Sequence, residues 1–144
     1  MKRFIVTCAV SCLLVCANAA ARDDVVKFDI EPLLSSEKAK QALLDVPVYF
    51  AGQSHAEPEK FYGEMTTSRK TNAFGKSDKE ACEWVLLSAL KVLQQSAIKH
   101  GMNAVINIKS NYKHREFSSA TQFECGAGNI IAGVALKGDL AKLP

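Results

Sequence analysis

The side chains able to do chemistry are five cysteines, three histidines and one hydroxyl-rich stretch. Cys8, Cys12 and Cys16 crowd the start of the chain, and Cys82 and Cys125 stand far beyond them. Thiols can bridge, bind a metal or cycle between redox states. Redox and metal chemistry ask for a Cys-x-x-Cys pair or a histidine at ligand spacing, and the sequence has neither. His55, His100 and His114 do not approach ligand spacing, so a site of His100, His114 and a carboxylate requires folding to join them. Ser110 to Thr121 gathers hydroxyls around Tyr112, Lys113, His114 and Arg115. Those four residues form a candidate binding surface for an anion or a protein partner, with a solvated hairpin loop as the plainer account. Ser118 and Ser119 lack the glycines of a nucleophile elbow. No catalytic residue, resident metal or cofactor is therefore expected, and the reading is of a protein that is not an enzyme.

Gly75-Lys76-Ser77 is the tail of a phosphate-binding loop. That loop needs an earlier glycine so that successive backbone N–H groups can wrap the phosphates. Lys70 stands at that place, and no apolar strand precedes it. Ser77-Asp78-Lys79-Glu80 is better read as a capping box opening a helix.

The elements that must position these groups centre on that helix. From Ser77 to Gly101 no proline intervenes, and Cys82, Val85, Leu86, Ala89, Val92, Leu93 and Ala97 recur at helical spacing. Lys79, Glu83, Gln94, Gln95 and Lys99 fall mostly off that stripe. Lys99 and His100 suit the negative end of the helix dipole, and Gly101 suits a left-handed cap. Such a helix is roughly 35 Å long. Before it, strands are expected at Val25–Ile30, Val48–Phe50 and Phe61–Ser68, with a short helix capped by Ser35 or Ser36 and a polar turn over Arg69–Lys76. After it, strands are expected at 104–109, with Ala104, Ile106 and Ile108 on one face, at 119–125, and at 130–136, the last ended by Lys137-Gly138-Asp139. Gly126-Ala127-Gly128 reads as a bulge or bend. The expected core is α+β: one long helix packed as a two-layer structure on a small antiparallel sheet in the order β-β-α-β-β.

Residues 1–21 have the form of a cleavable export signal. Lys2 and Arg3 precede the apolar run Phe4–Cys16, and Ala17-Asn18-Ala19 or Ala19-Ala20-Ala21 offers the small residues of a cleavage site. The run is short for a membrane span. Residues 22–76 then supply strands and a short helix, and 77–140 the helix-plus-sheet core, all within one domain. Without Lys2 and Arg3, the formal charge of +3 falls to +1. That balance argues against nucleic-acid binding, which needs a concentrated basic face. Export, with the periplasm as the expected compartment, leaves Cys82 and Cys125 as an even pair in an oxidising setting. A structural disulfide is the default there. It closes a loop of about 44 residues, worth about 4 kcal/mol on the chain-entropy account.

From about Asp78 to Leu140 the chain resembles the outer-membrane stress-sensor lipoprotein of the Rcs pathway (RcsF) and the small YbjQ-type domains. The residues that carry this are the cysteine at the helix start, Asn103-Ala104-Val105, and Ile131-Ala132-Gly133-Val134-Ala135-Leu136. The resemblance implies the helix-and-sheet fold and a Cys82–Cys125 bridge. Lys109 and Ile131 lie near where the sensor's second bridge would be. The whole chain after the leader, including Thr71-Asn72-Ala73-Phe74, Ser110-Asn111-Tyr112-Lys113 and Cys125-Gly126-Ala127-Gly128, is similar to a family of uncharacterised exported bacterial proteins. Members sometimes carry the name of an excision-repair ATPase subunit, which the incomplete phosphate loop does not support. The functional expectation is a periplasmic module that binds an envelope protein. The alternative is a small-ligand or metal-binding oligomer of the YbjQ type.

Overall fold

The computed structural model describes residues 22–144. The expected export signal at 1–21 lies outside the described residues. The elements run β1 (Asp24–Asp29), α1 (Ile30–Leu34), α2 (Glu37–Ala42), β2 (Val48–Phe50), β3 (Lys60–Asn72), α3 (Asp78–Lys99), β4 (Ala104–Ser110), β5 (Gln122–Ala127) and β6 (Ile131–Lys142). The fold is α+β, with one long helix against a six-stranded sheet. It is richer than β-β-α-β-β, because β1 and β2 join the sheet as edge strands and two short helices lie between them.

α3 starts where its cap dictates. The Ser77 hydroxyl accepts a hydrogen bond from the Glu80 N–H at 3.1 Å, and Asp78 and Glu80 put negative charge in the first turn. At the other end Gly101 takes φ +72°. The buried arc is wider than one stripe, since Leu87, Leu90 and Gln94 are buried along with Val85, Leu86, Ala89 and Leu93. The cause is that α3 is covered by the sheet and also by α2. Gln94 thus corrects the expectation of a polar face there: it is 1% exposed. Its amide donates to the carbonyls of Leu44 at 3.0 Å and Val46 at 2.7 Å and accepts from the Leu44 N–H at 2.9 Å. One buried side chain satisfies three backbone groups of the α2–β2 loop, which burial otherwise makes costly to leave unpaired.

β6 is the centre of the sheet. β3 pairs antiparallel with it along its full length, from Lys60↔Lys142 to Asn72↔Ile131. On the other edge β5 takes the start of β6 at Gly126↔Gly133, and β4 takes its end, from Ser110↔Leu136 to Ala104↔Ala141. β1 pairs antiparallel with β5, and β2 pairs parallel with β4, so the sheet is not purely antiparallel. β3 continues through Arg69–Asn72, where a polar turn was expected, because each of those residues has a partner on β6. β6 likewise runs past Lys137-Gly138-Asp139 to Lys142. Gly126 and Ala127 belong to β5, so the expected bend moves beyond them.

β4 departs from strict alternation. Asn107 has φ +52°, and the pairing with β6 shifts register between Ile106 and Lys109. Asparagine tolerates this left-handed geometry, and the resulting bulge turns the strand over. Ala104 and Ile106 therefore face away from α3 in a small cluster with Ala141, Leu143 and Tyr49, while Val105 and Ile108 enter the main core. Ala104, Ile106 and Ile108 do not share a face.

The main core joins Ile30, Leu33, Val46 and Phe50 to α3 and to Phe123, Val134, Leu136 and Leu140. Cys82 and Cys125 are bridged within it, both fully buried, with α-carbons 5.9 Å apart. The bond ties the start of α3 to β5.

Candidate functional site

The turn after β4 builds a site on the sheet face away from α3. Ser110 and Phe117 pair across a small hairpin. Within it Lys113 and His114 take φ +53° and +60°, and the Arg115 N–H donates to the Tyr112 carbonyl at 3.1 Å. Two successive left-handed residues closed by that bond make the tight turn favoured in hairpins. Neither residue is the glycine or asparagine usual there, so the turn depends on its anchor, Tyr112.

The Tyr112 ring lies on Gly126 and Gly133, which face each other across β5 and β6. A Cβ on Gly126 would fall 2.0 Å from Tyr112 Cζ, and one on Gly133 would come 3.6 Å from its Cε2. At Gly126 only a bare backbone leaves room for the ring, while Gly133 stands at ordinary contact distance from it. From there the Tyr112 hydroxyl donates to Asp23 Oδ1 at 2.9 Å, and Lys113 Nζ pairs with Asp23 Oδ2. Lys113 first, and Tyr112 second, hold the Asp23 carboxyl below its ordinary range. Partial burial first, and Asp23 second, push the Tyr112 phenol above its ordinary value. Asp23 thus ties the segment leading into β1 to this turn.

A cleft of about 510 Å³ opens beside Tyr112. Its floor is β3 and β6: Thr66, Ser68 and Lys70 pair with Lys137, Ala135 and Gly133 on the face away from the core. Its wall is Asn111, Tyr112, Lys113 and His114. Three of the four residues expected at a binding surface therefore meet in one cleft. Arg115 does not line it. Among the described residues no carboxylate lines it either: Asp23 is engaged by Tyr112 and Lys113, and Glu116 pairs with Lys137. The lining is rich in donors, namely hydroxyls, an amide and ammonium groups. It suits a ligand rich in acceptors, such as the carbonyls of a polypeptide. Among the described residues no hydrogen bond joins Ser68 or Thr66 to His114, so no nucleophile–base pair is formed.

Sequence reading missed Thr66, Ser68, Lys70 and Asp23. The alternation of β3 carried the signal for Thr66 and Ser68, Lys70 fell in the expected polar turn, and the register of β3 on β6 was what the sequence withheld. The histidines stay apart in role. His100 stacks on Tyr62 with ring centroids 4.0 Å apart, and His55 lies 5.4 Å from Tyr49. Among the described residues no three histidine, cysteine or acidic side chains group as a metal site. No described helix is long and apolar enough to cross a membrane. A smaller cleft of about 210 Å³ lies between β1 and the start of α3, lined by Lys27, Asp29, Lys79 and Glu83 among others, with charges of both signs.

By fold and site the chain is a disulfide-bridged α+β domain with a donor-rich cleft beside a sheet edge. No protein-family model, curated protein or solved structure matches it.

Proposed function

We propose that the protein is a non-enzymatic, exported module that binds an extended segment of an envelope protein along β3, over the cleft at Tyr112–His114. The observation that carries this reading is the free edge of β3. Among the described residues this 13-residue strand pairs with β6 alone. An edge of that length offers a row of unpaired backbone donors and acceptors to an incoming strand. Side chains of an added strand on the open face would reach Thr66, Ser68 and Lys70, with Lys113 and His114 closing over them. Export rests on the composition of residues 1–21 and agrees with a buried disulfide, a bond that persists in oxidising compartments. The resemblance to the Rcs stress sensor points the same way.

The test is site-specific photo-crosslinking in intact cells, with the reactive group at Ser68 and, for comparison, at Lys91 on the exposed side of α3. A reproducible protein adduct from position 68 alone supports the reading. Equal or absent adducts from both positions would overturn it. The second reading, a small-ligand or metal-binding oligomer of the YbjQ type, draws on the same edge. β3 of a second copy could pair with it about a two-fold axis. Adducts composed of two copies of this chain, with a dimer in light scattering and a response to divalent metals, would favour that reading.

A further inference from the structure

Three large apolar side chains crowd one end of the molecule and have no cover among the described residues. Phe74 is 75% exposed, Ile130 66% and Ile131 53%. Phe74 lies in the turn after β3, with Ile130 just before β6 and Ile131 at its start in contact with that turn. The Ala73 N–H donates to the Ile130 carbonyl at 2.7 Å, and Asn72 is the register partner of Ile131. The turn is held firmly: the Lys76 N–H donates to the Ala73 carbonyl at 3.1 Å, Gly75 takes φ +73°, and the Phe74 N–H donates to Asn72 Oδ1 at 2.9 Å. Phe74 is thus presented at the apex of an ordered turn. Single exposed apolar residues are ordinary on a protein surface, but three on touching segments form a patch that calls for a partner.

Charge around the patch selects the partner. Lys70 lines a groove with Ile130 and Ile131, and Lys76 follows Phe74 by two residues in the same turn. Neither pairs with a carboxylate among the described residues. The acids nearby are largely spoken for. Arg22 Nη1 donates to Asp78 Oδ1 at 3.0 Å and Arg22 Nε to Asp24 Oδ2 at 2.8 Å, leaving Glu80 as the exposed carboxylate of that helix turn. An apolar apex with two unpaired ammonium groups beside it matches the interface of an anionic bilayer, where the ring and aliphatic groups enter the headgroup boundary and the ammonium groups meet phosphate. Arg22 borders the same patch, its carbonyl oxygen 3.1 Å from where a Cβ on Gly128 would stand.

We propose that the tip formed by Phe74, Ile130 and Ile131, with Lys70 and Lys76 beside it, docks on the surface of an anionic phospholipid membrane. Lys70 also lies in the floor of the Tyr112–His114 cleft, so the two surfaces adjoin at that residue.

The experiment uses the protein purified from the exported fraction and vesicles of phosphatidylglycerol with phosphatidylethanolamine, against phosphatidylcholine vesicles. In a Phe74→Trp variant, the new fluorescence is read against the parent, whose tryptophan is Trp84. The expected result is a blue shift and quenching by brominated lipid at position 74, with anionic vesicles only. Flotation should weaken by more than about tenfold in Phe74→Ser/Ile130→Ser. It should weaken by about fivefold for each of Lys70→Gln and Lys76→Gln. These exposed positions leave the fold intact, which circular dichroism checks. An unquenched tryptophan at position 74, or flotation indifferent to the serine variants, would overturn the proposal. So would a dimer that the serine variants dissolve, because the patch would then be covered by a second copy.

Discussion

Asp23 shows how much one exposed carboxylate can organise. It receives Tyr112 and Lys113, and so fixes both the entry to β1 and the wall of the cleft. The pH behaviour follows from the two shifts. A carboxyl lowered in the folded chain contributes above its ordinary range and loses that contribution as pH falls through its lowered value. A phenol raised in the folded chain contributes fully below its ordinary value and loses it as pH rises through the raised one. The clamp is therefore intact from mildly acidic pH to beyond 10, the ordinary tyrosine value. Replacing Asp23 by Asn removes the charge that resists ionisation of the phenol. Spectrophotometric titration should then show the Tyr112 transition at lower pH than in the parent, with Tyr112→Phe identifying which tyrosine is seen. An unchanged transition would mean that Asp23 does not hold Tyr112 in solution. None of this was legible in the sequence, since Asp23 and Tyr112 are 89 positions apart. Tyr112 itself was legible as a candidate because it sits in a cluster of polar types. Its glycine platform was not, because Gly126 reads equally well as a bend.

At the scale of elements, the legible part was what local physics decides. Ser77 and Gly101 mark the ends of α3 because capping and left-handed geometry are properties of a few adjacent residues. Gln94 and Asn107 were misplaced because their settings depend on distant chain. The α2–β2 loop needs Gln94, and the shifted register on β6 needs the bulge at Asn107. The Cys82–Cys125 bridge was readable because the expected leader takes up Cys8, Cys12 and Cys16 and leaves two thiols to pair. It joins the first turns of α3 to a strand 43 positions later. Removing both sulfurs by Cys82→Ala/Cys125→Ala should lower the stability of the folded chain by about 2–4 kcal/mol. Urea titration should show an earlier midpoint. Because α3 keeps its contacts with β3 and β6, the far-ultraviolet circular dichroism should stay native in the absence of denaturant. A variant as stable as the parent would show that packing alone fixes the helix on the sheet.

At the scale of the whole molecule, β6 is covered on both edges and β3 on one. β6 is flanked by β3 along its length and by β5 and then β4 on the other side, with α3 packed across it. The core around α3 draws residues from Ile30 to Leu140. Opening any part of β6 therefore disrupts packing shared by the entire chain, and its amides should exchange only through global unfolding. Among the described residues β3 has no such shield on its outer edge. Alternate amides between Lys60 and Asn72 point away from β6 and should exchange quickly, with their neighbours slow. Residue-resolved hydrogen exchange of the isolated chain should thus show an alternating pattern in β3 beside uniform protection in β6. Addition of a strand along that edge would slow the fast set and leave β6 unchanged, since β6 is already limited by global stability. Uniformly slow exchange across β3 in the isolated protein would mean that its outer edge is already occupied, and the partner of this sheet would then be another copy of the same chain.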